Sequence, residues 1–77
     1  MTLALCLVKC DYQSVKDTLK SINKVKGIVE SHQTSGPYDM ILKVKAASDT
    51  ELRSIVRNVG TVSGVLAVLT TIIYNVK

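Results

Sequence analysis

The sequence predicts an α+β domain with the element order βαββαβ, and three observations carry it. The chain resembles itself at an offset of 37 residues, each half reads strand, helix, strand, and two strands are apolar on both faces. A chain of 77 residues is one domain, taken as 1–77. It buries only about 60–65% of the surface that its unfolded form exposes. With 47% hydrophobic residues and 21% charged ones it is not a disordered chain.

The repeat sets Val25 on Val62, Gly27 on Gly64 and Leu5 on Leu42, with conservative matches between them. In the first half, residues 3–10 form an apolar run of strand length. Val15, Leu19, Ile22 and Val25 then follow helical spacing, Gly27 punctuates, and 28–34 begins a second extended segment. In the second half, 40–46 alternates around Lys43 and Lys45, as a strand does. Ser48 and Glu51 have the spacing of a capping box, and Asp11 holds the equivalent N-cap position in the first half. Leu52, Ile55, Val56 and Val59 supply the second helical stripe, Gly60 and Gly64 bracket its end, and 65–76 is the last strand. A hairpin at 34–38 joins the halves. This order is that of a ferredoxin-like fold: a four-stranded antiparallel sheet with both helices on one face.

A sheet covered on one face should alternate between apolar and polar residues. Leu3, Leu5 and Leu7 nevertheless oppose Ala4, Cys6 and Val8 on the first strand. On the last, Val65, Ala67, Leu69 and Ile73 oppose Leu66, Val68, Ile72 and Tyr74. Two helices cover one face only, so the other calls for a second copy, giving a dimeric barrel or sandwich through the sheet.

Composition narrows the function classes. The net charge of +4 comes with no long basic run, and the only aromatics are Tyr12, Tyr38 and Tyr74, a poor footing for nucleic acid. Lys16, Lys20 and Lys24 read as one solvated helix face. Cys6 and Cys10, four residues apart on a strand, stand about 13 Å apart, too far for a disulfide. They read as small buried residues, and no cluster with metal-ligand spacing accompanies them. No signal peptide or membrane span is expected, and the predicted location is cytoplasmic.

Catalytic residues, metals and cofactors are not predicted. His32, the only histidine, reads as a polar residue on a half-exposed edge. The segment with chemical character is the hairpin Thr34-Ser35-Gly36-Pro37-Tyr38-Asp39. Gly36 admits a positive φ, the Ser35 and Gly36 amides suit a carboxylate, Asp39 suits an ammonium group and Tyr38 an apolar wall. Such a set would suit a zwitterionic amino acid, but spacing alone favours a plain Gly-Pro turn with a solvated aspartate.

At this loop the sequence resembles the effector domain of the Lrp/AsnC (feast/famine) transcription regulators. The resemblance rests on Gly27-Ile28-Val29-Glu30, then Gly36-Pro37-Tyr38-Asp39, the apolar strand that follows, and Gly64-Val65 with Thr70 and Ile72-Ile73. It implies a dimer through the sheet, assembly into a higher ring, and amino-acid effectors bound where dimers meet. It assigns Gly36, Tyr38 and Asp39 to the effector loop and Thr70 to the second threonine of a Thr-x-Thr pattern. Val68 stands where the first threonine would be. Asn58 joins these as a further cleft residue. The resemblance also implies a stand-alone form lacking the helix-turn-helix domain.

The expected function is therefore an amino-acid-binding, oligomerising domain of a regulator family and not an enzyme. It would act through association with copies of itself or with full-length regulators, without direct nucleic-acid or membrane contact. Two other readings stay open: a small dimeric α+β barrel enzyme built around His32, and a purely structural oligomerisation module.

Overall fold

A computed structural model describes residues 1–74. The elements are β1 (Thr2–Cys10), a 3₁₀ turn (Tyr12–Ser14), α1 (Val15–Ile22), β2 (Ile28–Gln33), β3 (Met40–Ala46), α2 (Asp49–Gly60) and β4 (Val65–Ile73). The four strands form one antiparallel sheet in the order β2-β3-β1-β4, the ferredoxin-like arrangement that the sequence predicts. Residues 75 and 76 of the expected last strand lie outside the described residues.

Both helices pack on one face of the sheet. Ala4, Cys6, Val8 and Cys10 of β1 and Met40, Leu42, Val44 and Ala46 of β3 form the sheet side of the core. Val15 and Ile22 of α1 and Leu52, Ile55 and Val59 of α2 close it from above. The opposite face holds Leu3, Leu5 and Leu7 together with Leu69 and Ile73, set side by side through the pairs Leu3↔Ile73 and Leu7↔Leu69. Leu69 remains 50% exposed, an apolar side chain that the described residues leave half uncovered.

Several local details depart from the expectation. The α1 helix ends at Ile22, short of Val25, because Asn23 begins a tighter turn closed by Lys24 N–H to the Ser21 carbonyl and Val25 N–H to the Ile22 carbonyl. Val25 still packs on the core, from the turn. Asp11 caps the 3₁₀ turn, its carboxylate accepting from Gln13 N–H at 3.1 Å, and Ser14 precedes α1 without a side-chain cap. Ser48 does cap α2, accepting from Glu51 N–H at 3.2 Å, and the Glu51 carboxylate reaches back to the Ala47 amide. On β4 the pairing slips between Lys9 and Cys10, so Cys10 meets Val65 and Leu66 is left out of register. This bulge corrects the expected faces: Val65 packs on the helix-side core with Val68, and Leu66 is 66% exposed.

The two halves lock across each other at the matched glycines. Gly27 (φ +102°) and Gly64 (φ +95°) each lead into a strand, and each lies against the helix of the other half. A methyl group on Gly27 would overlap the Ile55 side chain of α2; one on Gly64 would overlap the Thr18 hydroxyl of α1. Thr18 is the buried polar residue of the core, 1% exposed, and it donates to the Ser63 carbonyl at 3.1 Å.

Both cysteines are free and buried. Burial pushes the Cys6 thiol above its ordinary value of 9.0, opposed by its contact with the Thr70 hydroxyl. Burial and then the Asp39 charge push Cys10 the same way. The unfolded thiols ionise near pH 9 while the folded ones stay protonated, so their contribution to stability is complete below that pH and is lost as pH climbs above it. Urea denaturation at pH 7.5 and pH 10 should show a larger alkaline loss for the natural chain than for the Cys6→Ala/Cys10→Ala variant. Equal losses would refute the assignment.

Candidate functional site

The hairpin between β2 and β3 is held from several sides. Within it, Thr34 N–H donates to the Asp39 carbonyl at 2.9 Å and the Thr34 hydroxyl to the Tyr38 carbonyl at 3.0 Å. Toward the sheet, Asp39 N–H donates to the Val8 carbonyl at 2.9 Å, and Lys9 Nζ lies 3.4 Å from the Pro37 carbonyl. The tightest contact is from Cys10 N–H to Asp39 Oδ2, at 2.7 Å. Sheet order explains the arrangement: β3 neighbours β1, so the loop that enters β3 lands beside the end of β1.

Gly36 takes φ +117° at the exposed tip, with open space where a side chain would stand. Tyr38 and Asp39 are half-buried. Asp39 is thus oriented by one oxygen, and among the described residues Oδ1 has no hydrogen-bond partner.

The loop borders a cavity of about 690 Å³ on the helix side. Gln33, Thr34, Ser35 and Asp39 form one wall; Tyr12, Gln13, Lys16 and Asp17, from the turn and the start of α1, form the other. Neither Gly36 nor Tyr38 lines it. Sequence reasoning misses the Gln13, Lys16 and Asp17 side of this cavity, because spacing alone assigns Lys16 to a solvated stripe. The available signal is topological, since residues just after β1 must lie beside the β2–β3 hairpin.

The other two expected site residues stand apart from the loop. Thr70 sits on the helix side of β4 opposite Cys6, its hydroxyl 3.6 Å from the thiol. The Cys6 and Cys10 positions are four residues apart on β1, about 13 Å, and β1 itself lies between β4 and β3. Asn58 is exposed on α2, where its carbonyl accepts from the Thr61 hydroxyl at 2.8 Å. One chain therefore groups Gly36, Tyr38 and Asp39 and leaves Asn58 and Thr70 elsewhere.

His32 lies on the open sheet face, its side chain 63% exposed, 3.5 Å from Glu30, which also meets Lys43 at 3.6 Å. This is not the cleft between sheet and helices that a catalytic histidine of a barrel enzyme would need. A wider cavity of about 970 Å³ also opens on this face, where Lys43 and Lys45 stand beside Leu3, Val29 and Ile73. Among the described residues no three potential metal ligands cluster, and no helix is long and apolar enough to cross a membrane.

A βαββαβ sheet with one face under two helices defines a ferredoxin-like domain, here with a tethered loop beside a polar cavity. The Lrp/AsnC ligand binding domain matches residues 3–77, and the chain belongs to that family. It is 31% identical over 74 residues to the HTH-type transcriptional regulator FL11 of Pyrococcus furiosus, covering 96% of this chain and 49% of that protein. It is also 36% identical over 72 residues to a homocitrate synthase of Sulfolobus acidocaldarius, covering 92% of this chain and 15% of the enzyme. The chain thus spans half or less of the length of these curated relatives. Among solved structures, TTHA0845 of Thermus thermophilus superposes with a TM-score of 0.92 at 22% identity, covering 100% of this chain and 98% of the other. A feast or famine regulatory protein of M. tuberculosis complexed with L-methionine does so at 0.85 and 19% identity, covering 99% of this chain and 52% of that one. At such identities the likeness establishes the fold.

Proposed function

We propose that the chain is an amino-acid-responsive assembly domain that regulates through protein association and not through catalysis. The observation that carries this reading is Asp39. It is a half-buried carboxylate held by the Cys10 amide with its second oxygen free, on a loop fastened to β1. That is a preorganised receptor for an ammonium group. Membership of a ligand-binding family and the methionine complex of a structural relative support an amino-acid ligand. The bare apolar face around Leu69 supports a dimer through the sheet, and further assembly would bring Thr70 or Asn58 of other subunits toward the loop. Partners include copies of this chain and full-length regulators of the family. The partial match to homocitrate synthases fits a module that also accompanies enzymes. Two buried free thiols suit a reducing, cytoplasmic setting.

A thermal-shift screen of the twenty amino acids at millimolar concentration tests the reading. At least one should raise Tm in a dose-dependent way, and Asp39→Ala should abolish the rise. Silence across all twenty would refute it.

A further inference from the structure

We infer that self-association through the open sheet face is gated by protons: it holds while His32 is neutral and loosens when His32 is protonated. Such gating rests on the sheet dimer proposed above and names the residue that regulates it. On the open face the strands line up in rows. His32 pairs with Ile41, Ile41 with Leu7 and Leu7 with Leu69, so His32 ends the same row that carries the bare apolar surface. In the next row Glu30 pairs with Lys43, Lys43 with Leu5 and Leu5 with Thr71. The face is thus apolar on β1 and β4 and charged on β2 and β3.

Size decides whether the charged half takes part. Four strands about 4.8 Å apart, the longest of nine residues at about 3.3 Å each, make a face of roughly 600 Å². A stable dimer buries about 800 Å² per partner, so the apolar half alone is far too small and a second copy must cover β2 and β3 as well. The charged groups that go under are Glu30 of β2 and Lys43 and Lys45 of β3, with the Met1 amino group and Lys9 at the two ends of β1; β4 brings none. Asp39 is engaged elsewhere, held by the Cys10 amide beside the helix-side cavity. Among the described residues Glu30 is therefore the single carboxylate of this face, and it already lies 3.6 Å from Lys43 and 3.5 Å from His32. It cannot neutralise both. Protonation of His32 adds one cation to each copy, so a two-fold dimer would bury two further charges with no carboxylate to match them. Histidine is the side chain whose charge ordinarily changes between pH 5 and 8.

Sedimentation velocity of the full chain over a concentration series at pH 7.0 and pH 5.5 tests this, a window in which ordinary carboxylates and amines keep their charge. The dimer dissociation constant of the natural chain should rise by roughly 10-fold or more from the first pH to the second. His32→Gln, neutral at both, should associate with nearly the same constant at both. His32→Lys, charged at both, should associate weakly throughout. His32 is exposed, so both variants are expected to fold, and the far-ultraviolet spectrum checks that they do. Association of the natural chain that is unchanged or stronger at pH 5.5 would overturn the gating while leaving the sheet dimer in place, as would a His32→Gln variant that responds to pH like the natural chain. Absence of self-association at both pH values, or association that Leu69→Lys does not weaken, would instead remove the sheet dimer and the gating with it.

Discussion

Gly27→Ala should lower the stability of the domain by about 2–5 kcal/mol, a large share of the roughly 4–12 kcal/mol expected for a chain of this size. Two terms add. A non-glycine residue at the left-handed φ of +102° costs about 1–2 kcal/mol. The new methyl group also overlaps Ile55 Cδ1 in the packed core, which costs about 1–3 kcal/mol more. At about 4–8 °C per kcal/mol, the melting temperature followed by circular dichroism should drop by roughly 8–40 °C. Ile55→Val removes the Cδ1 atom, so Gly27→Ala should cost less in that background, leaving mainly the backbone term. A double-mutant cycle showing no coupling between residues 27 and 55 would refute the packing half of this account. Gly64→Ala should behave alike, with the Thr18 hydroxyl in the place of Ile55.

Leu69→Lys should leave the fold intact and abolish self-association. Leu69 is half-exposed, and its pleated neighbour on the open face is Leu7, so the monomer loses little when a lysine stem replaces it. In a sheet-to-sheet dimer the new ammonium would be buried on a face where Lys43 and Lys45 already stand and Glu30 is the nearby carboxylate of β2. An unpaired buried charge costs several kcal/mol, so the dissociation constant should rise by roughly 100-fold or more. Sedimentation velocity over a concentration series checks this, with the far-ultraviolet spectrum as the control for folding. A variant that stays associated like the natural chain would show that the dimer uses another surface.

Much of the fold is legible in the sequence because it depends on local pattern. The helical stripes, the Ser48 cap, the double-sided apolar character of β1 and the paired glycines at 27 and 64 are all set by neighbours within a few residues or by the repeat. The exit of α1 at Ile22 and the slip at Leu66 are not, since a tightened turn and a bulge answer to how distant elements meet. One extra residue in β4 reverses the side on which Val65 falls, and strict alternation has no means to register it. The site divides along the same line. Gly36, Tyr38 and Asp39 are nearly contiguous and follow from turn chemistry, whereas Gln13, Lys16 and Asp17 join the cavity only once β1 is seated beside β3. Thr70 and Asn58 rest on resemblance alone, and a single chain does not bring them to the loop.

Strand β1 gives the fastened hairpin a mechanical meaning. Its successive residues alternate between two audiences: Leu5 and Leu7 face the bare side of the sheet, while the Val8 carbonyl and the Cys10 amide grip Asp39. Lys9, between them, touches the loop's Pro37 carbonyl. Asp39 is thus bonded directly to the strand that a second copy would lie against. On the proposed reading, a ligand held by Asp39 would act on the strand that a second copy would cover, and thermodynamic reciprocity would then have association change the ligand's affinity by the same factor. The proposed receptor and the proposed interface would then share one strand.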